Sequence, residues 1–551
     1  MISTELIITA IFVVATILLA PRMYARVLLS RAKHRSLTGH VRMSNRVARL
    51  VPSVRYGEER FFAADDAPAE VVAARRSGFE RLSSHYRDRC AKSIALGART
   101  RPGLSDMQLT SSYRVPFQFA PIARERLGGG PWLVESEGVT LTDVDGNEYI
   151  DLTGSYGVNL LGNDVYKALI AEGAAMVAGL GPVLGLLHPI VAENVERLRA
   201  LSGQDEVSFH MSGTEAVMQA VRLARYHTGR RKIVRFCGAY HGWWGDVQPG
   251  AGNPTPADHT YTLAEMSEAS LKALRNRRDV ACVLVNPIQA MHPNMAAPSD
   301  SMLIEGGRRA AYEPDAYAAW LKRLAETCRE RGIVLIFDDI FMGFRLRPGS
   351  VGELYGVKPD LITLGKTLGG GLPVGVVCGR SEVMKRFRED RPADLNLARG
   401  TFNAHPYVMG SMNAFLRFLD KPETRALYDG LEERWNARAE MLNRRLADAE
   451  LPVSVANLST VWTVLYARPT RYNWMLQYYL RDHGLALSWV GTGRLIFSLN
   501  FGDAEFGDVA DRFVAAVKEM RDDGWFWTAE GQTGKQVRRR VLRELVAARL
   551  G

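Results

Sequence analysis

Hydrophobic positions follow three successive patterns along the 551-residue chain. Residues 6–21 are sixteen consecutive positions without a charge, rich in Ile, Val, Leu and Ala. Up to about residue 110, apolar, basic and acidic positions then mix with helical spacing. From Trp132 onward apolar and polar residues alternate in short runs. Residues 145–147 (DGN) interrupt these runs, which predicts a β-hairpin.

Between residues 206 and 378, short apolar runs alternate with amphipathic helical stretches. This alternation is typical of a doubly wound, mostly parallel sheet in an α/β protein. The predicted strands cover residues 206–211, 232–237, 280–285, 333–337, 361–364 and 374–378. After about residue 411 helices come first and strands follow at 461–466 and 494–500. This later order predicts a smaller α+β domain.

Polar or glycine-rich sequence directly follows five of the predicted strands. The five segments are SGTEA after Met211, GAYHG after Cys237, NPIQ after Val285, DD after Phe337 and GK after Leu364. In an open α/β sheet the ligand lies beyond the carboxyl ends of the strands. We therefore expect the five segments to converge on one site.

The composition, with 47% hydrophobic and 24% charged residues, is that of an ordinary globular protein. The cysteines stand singly, without a CxxC pair or a histidine at metal-ligand spacing. They are Cys90, Cys237, Cys282, Cys328 and Cys378. This pattern predicts reduced, mostly buried thiols in a cytosolic compartment and no metal site.

The net charge of +10 belongs to the two ends of the chain. Residues 22–50 contain eight Lys or Arg and no acid, and residues 535–549 contribute a net +5. The rest of the chain is close to neutral and slightly acidic. The basic balance therefore does not indicate a nucleic-acid partner.

The uncharged N-terminal stretch predicts a membrane anchor over residues 1–21, since roughly 20 apolar residues span a bilayer. Glu5 precedes the stretch and all the Lys and Arg follow it, unlike a cleaved signal peptide. The positive-inside rule then predicts a single-pass protein of the inner membrane, with the rest of the chain in the cytoplasm. The alternative is an apolar helix docked on the protein's own surface.

The C-terminal segment from Lys535 predicts an amphipathic helix, because Val537, Val541, Leu542 and Leu545 fall at helical spacing. We expect this helix to rest on anionic lipid, against the alternative of a solvated terminal helix. The aromatic run 525–527 (WFW) is expected to pack against the small domain, with the lipid interface as the alternative.

Lys366 is the first candidate for chemistry, in the segment 365–371 (GKTLGGG). A nucleotide-binding loop needs its glycines before the lysine, whereas here they follow it. A lysine that forms a Schiff base must reach its neutral amine form, which burial or a nearby cation promotes. The alternative is a surface lysine in a glycine-rich loop.

Asp338 ends the apolar run 333–339 (IVLIFDD), where a carboxylate is costly to bury without a cationic partner. A protonated pyridine nitrogen is such a partner, and holding that proton keeps pyridoxal phosphate an electron sink. Asp339 is expected to point the other way, as a cap or turn carboxylate.

Ser212, Gly213 and Thr214 follow a strand and open the helical stretch EAVMQAVRLARYH. Backbone N–H groups and hydroxyls would gather there at a positive helix end, which predicts a phosphate cup. A helix cap without a ligand is the alternative. Tyr240 is a candidate to stack on a cofactor ring, or else a core aromatic.

Five motifs in fixed order carry a family resemblance. They are SGTEAVMQAVRLARYHTGRRKIVRF, AYHG, IFDDIFMGFR, PDLITLGKTLGGGLPVGVVCGR and GTFNAHPYVMG. The chain resembles the class III aminotransferases, and most of all the glutamate-1-semialdehyde aminomutase branch, over roughly residues 132–503. The resemblance implies the type I fold of pyridoxal-phosphate enzymes, with a large seven-stranded sheet domain and a smaller α+β domain.

The resemblance also implies a role for each matching residue. Lys366 would bond to pyridoxal 5'-phosphate and carry protons, Asp338 would pair with the pyridine nitrogen, and Ser212, Gly213 and Thr214 would hold the phosphate. Tyr240 and Ile340 would lie on opposite faces of the ring, and Gln289 near the ring hydroxyl. Thr401 would reach the phosphate of a neighbouring subunit, which implies a homodimer with shared active sites.

Two positions depart from the family pattern. The usual Glu-Pro is replaced by Asn286 and Pro287, and the usual Asp-Glu by Asp338 and Asp339. We expect the loss of a carboxylate at Asn286 to change what the substrate pocket attracts. Arg345, Arg399 and Arg494 are candidate anchors for a substrate carboxylate or phosphate.

These inferences divide the chain into six parts. We expect a transmembrane anchor at 1–21, a basic helical linker at 22–110, the N-terminal part of the small domain at 111–160, the cofactor-binding large domain at 161–405, the C-terminal small domain at 406–530 and a basic amphipathic tail at 531–551.

The expected activity is transfer of an amino group to an aldehyde or ketone, and the predicted anchor suggests a lipophilic or acyl-chain acceptor. One alternative is an intramolecular aminomutase. Another is a different pyridoxal-phosphate reaction, namely racemisation, decarboxylation or carbon–carbon bond formation. The last is a non-enzymatic scaffold on the same fold.

Overall fold

The computed structural model describes residues 4–34, 39–113, 115–248, 250–255, 258–287, 313–488 and 494–550. Its helices are α1 Thr4–Ala32, α2 Val41–Leu50, α3 Glu58–Ala63, α4 Ala69–Arg89, α5 Ala91–Thr100, α6 Ser105–Tyr113, α7 Ala120–Leu127, α8 Asn163–Met176, α9 Ile190–Ser202, α10 Gly213–Thr228, α11 Glu268–Arg275, α12 Pro314–Arg331, α13 Ser381–Met384, α14 Pro406–Leu419, α15 Pro422–Ala426, α16 Leu431–Asp448, α17 Leu476–Asp482, α18 Asp503–Asp522 and α19 Gly534–Leu550.

The strands form three sheets. They are β1 Leu133–Glu137, β2 Thr140–Asp143, β3 Glu148–Asp151, β4 Glu206–His210, β5 Lys232–Phe236, β6 Thr260–Leu263, β7 Val280–Val285, β8 Val334–Asp338, β9 Leu361–Gly365, β10 Gly375–Gly379, β11 Val453–Leu458, β12 Val461–Tyr466, β13 Leu485–Ala486 and β14 Arg494–Ile496.

The central sheet has seven strands in the order β4-β10-β9-β8-β7-β5-β6. β10 runs antiparallel to both of its neighbours, and the other pairs are parallel. Every residue of β7, β8, β9 and β10 is buried, because helices cover both faces. Successive residues of β8 show this, since Ile336 packs in the core beside α10 and Phe337 in the core beside α12. The six predicted strands of the α/β sheet are confirmed.

The two smaller sheets combine residues from distant parts of the chain. One has the order β1-β2-β3-β13, and the predicted hairpin is confirmed because β2 and β3 are antiparallel. In the same sheet β13 runs parallel to β3, although more than three hundred residues separate them. The other sheet has the order β11-β12-β14. The predicted strand 461–466 is present as β12, whereas the one predicted over 494–500 ends early, at Ile496.

The helices over residues 58–100, expected as a linker, contribute aromatic side chains to the main core. Phe61 packs edge-on against Trp474, with 6.2 Å between ring centroids, and Phe79 lies 6.5 Å from Trp525. Trp525 and Phe526 are almost completely buried. These two residues therefore pack inside the protein, as expected, and not at a lipid interface.

A buried ion pair joins α4 to the loop that precedes it. The guanidinium of Arg75 donates two hydrogen bonds to the Asp65 carboxylate, each 2.8 Å long, and both side chains are almost fully buried. Arg75 also donates to the carbonyls of Phe62 and Gly524 and lies 4.3 Å from the ring centroid of Tyr472. The pair thus connects the N-terminal helices to the C-terminal part of the core.

Replacing Asp65 with Ala should lower the free energy of unfolding by about 3–5 kcal/mol, because it leaves the buried Arg75 charge without its partner. Urea denaturation would measure the change. The matched control is Glu58→Ala, which breaks the exposed Glu58–Arg76 pair and should cost under about 1 kcal/mol. Equal effects of the two substitutions would contradict the prediction.

The N-terminal helix α1 continues well past residue 21, to Ala32. Its last turns pack on the α/β domain, where Leu28 and Ala32 are buried and the Ala32 carbonyl accepts a 2.8 Å hydrogen bond from the Ala264 N–H. Within the described part of the chain, no helix is both long and apolar enough to cross a membrane. The structure therefore does not support the predicted transmembrane helix over 1–21.

The C-terminal helix α19 packs on the protein itself. Val537 and Val541 are buried, although we expected them on a lipid-facing stripe. Glu544, the only acid of the basic tail, accepts hydrogen bonds from Arg471, Arg60 and Tyr56. Two of the four residues of the predicted stripe therefore pack inside the chain, whereas Leu542 is 60% exposed, and the lipid-bound orientation of this helix stays a prediction.

Candidate active site

The polar segments that follow the strands meet at one edge of the central sheet. Asp338 is the last residue of β8, and Lys366 directly follows β9. Ile340 lies between these elements and α10, because a Cβ built on Gly213 would stand 2.9 Å from Ile340 Cγ2 and one on Gly365 3.0 Å from Ile340 Cδ1. The strand order thus brings the predicted residues of three segments together.

Asp338 is held in one orientation by hydrogen bonds to both carboxylate oxygens. Oδ1 accepts from the Thr363 hydroxyl at 3.1 Å and from the Ile340 N–H at 3.2 Å, and Oδ2 lies 2.7 Å from His241 Nδ1. The residue is 2% exposed, and the ion pairs among the described residues give it no lysine or arginine partner. A buried carboxylate in this setting favours a further cationic partner.

His241 is a site residue that the sequence reasoning missed. Burial lowers its pKa, so the ring is neutral near pH 7 and donates its Nδ1 proton to Asp338. Its Nε2 is buried and has no hydrogen-bond partner among the described residues. The segment AYHG contains this histidine, but only the fold brings it to Asp338, five residues after the end of β5.

The side-chain amine of Lys366 has a lowered pKa and so loses its proton more readily than an ordinary lysine. Burial, followed by the positive charge of Arg345, lowers its pKa to about 7. The Nζ atom donates to the carbonyl of Tyr156 and lies 4.3 Å from the ring centroid of Phe341. The backbone of Lys366 is left-handed, with φ of 51°. The neutral amine that a Schiff base requires is therefore accessible near neutral pH.

The turn that faces Lys366 has an unusual backbone. Residues 154–157 all have positive φ, with 45° at Ser155 and 57° at Tyr156. Two adjacent non-glycine residues in this region are strained, and such strain occurs preferentially at functional sites. Gly157 allows close approach, since a Cβ there would lie 2.7 Å from the Phe341 ring. The sequence reasoning did not identify Tyr156, because strain leaves no compositional signal.

The predicted phosphate cup lies at the N-terminus of α10. The Ser212 hydroxyl caps this helix by accepting from the Glu215 N–H at 3.3 Å. Gly242 lies against the start of this helix, with φ of 89°, and a Cβ there would stand only 2.5 Å from the Thr214 hydroxyl oxygen. Backbone N–H groups and two hydroxyls thus gather at a positive helix end, which suits a phosphate group.

Asn286 connects Tyr240 to Asp338. Its Oδ1 accepts from the Tyr240 N–H at 3.2 Å, and its Nδ2 donates to the Asp338 carbonyl at 3.1 Å. The side chain is 4% exposed, whereas Tyr240 is 59% exposed. Asn286 therefore acts mainly by holding two strand ends together, and it presents almost no surface to a substrate. The expected effect of the missing carboxylate on the substrate pocket stays a prediction.

Asp339 points away from Asp338, as expected. Its Oδ2 accepts from the Ser350 hydroxyl at 2.5 Å and from the Val351 N–H at 3.0 Å, where a short helical turn begins. Burial raises its pKa to about 7. It is a turn carboxylate of the neighbouring loop.

The three candidate anchor arginines lie in different places. Arg345 is buried and donates to Thr460 Oγ1 and to the carbonyls of Phe497 and Gly157. Arg494 is partly buried and close enough to Lys366 to lower its pKa. Arg399 lies in an exposed groove with Thr401, and the lining of this groove does not include Lys366. Gln289 lies outside the described residues.

Comparison with known proteins gives consistent results. The glutamate-1-semialdehyde 2,1-aminomutase of Citrifermentans bemidjiense is 33% identical over 374 residues, which cover 63% of this chain and 79% of that protein. An omega-transaminase structure from Sphaerobacter thermophilus superposes with a TM-score of 0.65 at 26% identity, covering 79% of this chain and 99% of its own. A structure described as a transaminase with PLP bound gives the same values.

Fold and site together define an α/β enzyme of the type I pyridoxal-phosphate fold. Residues 131–517 match the family described as Aminotransferase class-III. The chain belongs to this family, and it is a pyridoxal-phosphate-dependent enzyme.

The residues of the site fit this cofactor. The buried carboxylate of Asp338 contacts His241, whose pKa is lowered, and has no lysine or arginine partner among the described residues. It can therefore pair with a protonated ring nitrogen. Gly213 and Gly242 allow the backbone to approach Ile340 and Thr214 closely beside the cap of α10, where a Cβ would stand 2.9 Å from Ile340 and 2.5 Å from Thr214. Lys366 supplies an amine of lowered pKa.

Proposed function

We propose that this chain is an aminotransferase that passes an amino group from a donor to an aldehyde or ketone. The observation that carries the proposal is the placement of Lys366, with its lowered pKa, at the same sheet edge as the buried carboxylate of Asp338. The acyl-chain acceptor rested on the predicted spanning helix, so the proposal names only a carbonyl acceptor.

Pyridoxal phosphate, when bound, supplies an electron sink for the substrate carbon. In this proposal Asp338 keeps the ring nitrogen protonated, and His241, Thr363 and the Ile340 N–H hold Asp338 in place. Ser212, Gly213 and Thr214 bind the phosphate. Lys366 Nζ would carry a proton from the substrate carbon to the cofactor in the first half-reaction, and a proton in the opposite direction in the second. Tyr240 and Ile340 confine the ring from two sides.

A second candidate, the intramolecular aminomutase, is supported by the 33% identity to glutamate-1-semialdehyde 2,1-aminomutase. In such a reaction the amino donor and the carbonyl acceptor are parts of one molecule. The site residues described above serve both reactions equally. The need for a separate donor therefore distinguishes the two.

The test is a half-reaction of the holoenzyme with single amino donors such as L-alanine and L-glutamate, followed by cofactor absorbance. An aminotransferase converts the bound cofactor to its pyridoxamine form with one donor and releases a stoichiometric amount of keto product. Turnover of glutamate 1-semialdehyde without any other donor would favour the aminomutase. Absence of the pyridoxamine form with every donor and with glutamate 1-semialdehyde would contradict both. Lys366→Ala is the negative control.

We infer further that the enzyme is a homodimer. Thr401 and Arg399 lie in an exposed groove together with Leu186 and Leu187, which are 74% and 71% exposed. A second copy would cover these leucines and receive Thr401 at its phosphate site. Light scattering after size exclusion should give twice the chain mass, and a fully active monomer would contradict the inference.

We also infer a cytoplasmic location, supported by Cys90, Cys282, Cys328 and Cys378, which are buried and form no disulfide bond. Fractionation of cells that express the full chain, combined with protease treatment of spheroplasts, would test it. Degradation from the periplasmic side would contradict the inference.

A further inference from the structure

Helix α2 presents an uncovered apolar stripe. Met43, Val47 and Leu50 are 52%, 36% and 58% exposed. Their spacing of four and three residues places them on one side of the helix, one above the other. Val51, which follows the helix, is 37% exposed and extends the stripe. The described part of the chain therefore leaves this side of α2 open.

The other two sides of α2 differ sharply from this stripe. Ser44 is buried against the body of the protein, close to Gly250. Arg42, Arg46 and Arg49 are exposed and border the stripe on the side opposite Ser44. The Arg42 side chain is 88% exposed even though it contacts Asp258. Helix α2 thus packs on the protein through one side and exposes an apolar stripe and a row of arginines on the other two.

The sequence that contains α2 is strongly basic, although Asp258 from elsewhere in the chain pairs with Arg42. The eight Lys and Arg of residues 22–50 have no acid among them, and three of the eight are on α2 itself. A helix of low overall hydrophobicity, with a separate apolar stripe and an arginine-rich border, has the properties of a helix that lies in a membrane interface. Arginines at that depth contact lipid phosphates, and each adds attraction to an anionic surface.

We propose that α2 lies on a bilayer surface that contains anionic lipids. Met43, Val47 and Leu50 insert among the upper acyl chains, while Arg42, Arg46 and Arg49 bind headgroup phosphates. Such a helix lies in the membrane plane, so the proposal needs no segment that crosses the bilayer. A lipid surface fits better than an acidic protein, because Met43, Val47 and Leu50 offer no hydrogen-bonding group and an apolar stripe beside basic residues is typical of interfacial helices. The proposal is independent of which amino-transfer reaction the site performs.

The test is co-sedimentation of the full chain with vesicles of phosphatidylcholine alone and of phosphatidylcholine mixed with phosphatidylglycerol. We expect the wild-type chain to prefer the anionic vesicles, and added salt should weaken that binding. Two triple variants should each reduce binding to anionic vesicles by at least about tenfold. The first is Met43→Ser, Val47→Ser and Leu50→Ser, and the second is Arg42→Gln, Arg46→Gln and Arg49→Gln.

Matched controls are Leu354→Ser and Arg417→Gln, which change exposed residues elsewhere on the protein and should leave binding unchanged. The amino-donor half-reaction shows that each variant is folded. Equal binding of the wild-type chain to neutral and anionic vesicles would overturn the proposal without any variant. Unchanged binding in either folded triple variant would also overturn it, as would binding of an acidic protein by α2 in place of vesicles.

Discussion

Replacing Lys366 with Ala is expected to lower turnover by roughly 10³-fold or more, because the site then lacks its covalent anchor and its proton carrier. Steady-state assays with an amino donor and a carbonyl acceptor would measure the loss. Lys518→Ala is the matched control, since Lys518 is an exposed residue of α18. A variant at Lys366 that keeps a tenth of the wild-type rate would contradict the assignment.

The lowered pKa of Lys366 also gives the expected direction of the pH dependence. Burial moves this pKa from its ordinary value of 10.5 to about 7. The neutral amine therefore becomes the major form above pH 7, and capture of pyridoxal phosphate by the cofactor-free enzyme should accelerate as pH rises through 7. Arg494→Gln removes one positive charge near the lysine, which should raise its pKa and shift the profile to higher pH. An unchanged profile would argue against the electrostatic contribution of Arg494.

The second large effect is expected for Asp338→Asn, with a loss of about 10²- to 10³-fold in activity because an amide cannot stabilise a protonated ring nitrogen. The matched control is the adjacent Asp339→Asn. Asp339 bonds to the loop at Ser350 and Val351, so this variant should keep most of the activity. Steady-state rates and the absorbance of bound cofactor would compare the two variants.

Asp339→Asn should nevertheless change stability with a predictable sign. The carboxyl pKa is raised from 3.8 to about 7, so the folded state retains a proton that the unfolded state loses. The wild-type chain should therefore lose stability between about pH 4 and pH 7, and the Asn variant should lose less.

Similar losses of activity in the Asp338→Asn and Asp339→Asn variants would contradict the distinct roles proposed for the two aspartates.

The sheet could be predicted because its strands are buried on both faces. Strands β7 to β10 appear in the sequence as continuous apolar runs, and each ends in a polar segment. β6 (TYTL) was missed, since it is a short edge strand with two threonines that become buried only in the fold. The role of residues 58–100 was also missed, because their aromatic partners lie about four hundred residues further along the chain.

The site residues that directly follow a strand could be predicted from the sequence. Lys366, Asp338 and the segment 212–214 lie where their strands predicted them. His241 depends on a contact with Asp338 that no local pattern shows. Tyr156 contributes a backbone carbonyl, which every residue possesses, so only the left-handed turn reveals it. The burial of Asn286 likewise follows from two cross-strand hydrogen bonds and not from its residue type.

The aromatic cluster shared by the N-terminal helices and the C-terminal part of the chain limits how far this enzyme can be shortened. Phe61 and Phe79 precede the segment that matches the family, and Trp525 follows it. A fragment limited to residues 131–517 would expose Tyr472 and Trp474 to water and would tend to aggregate. The helices over residues 58–100 are thus part of the hydrophobic interior and do not form an independent module.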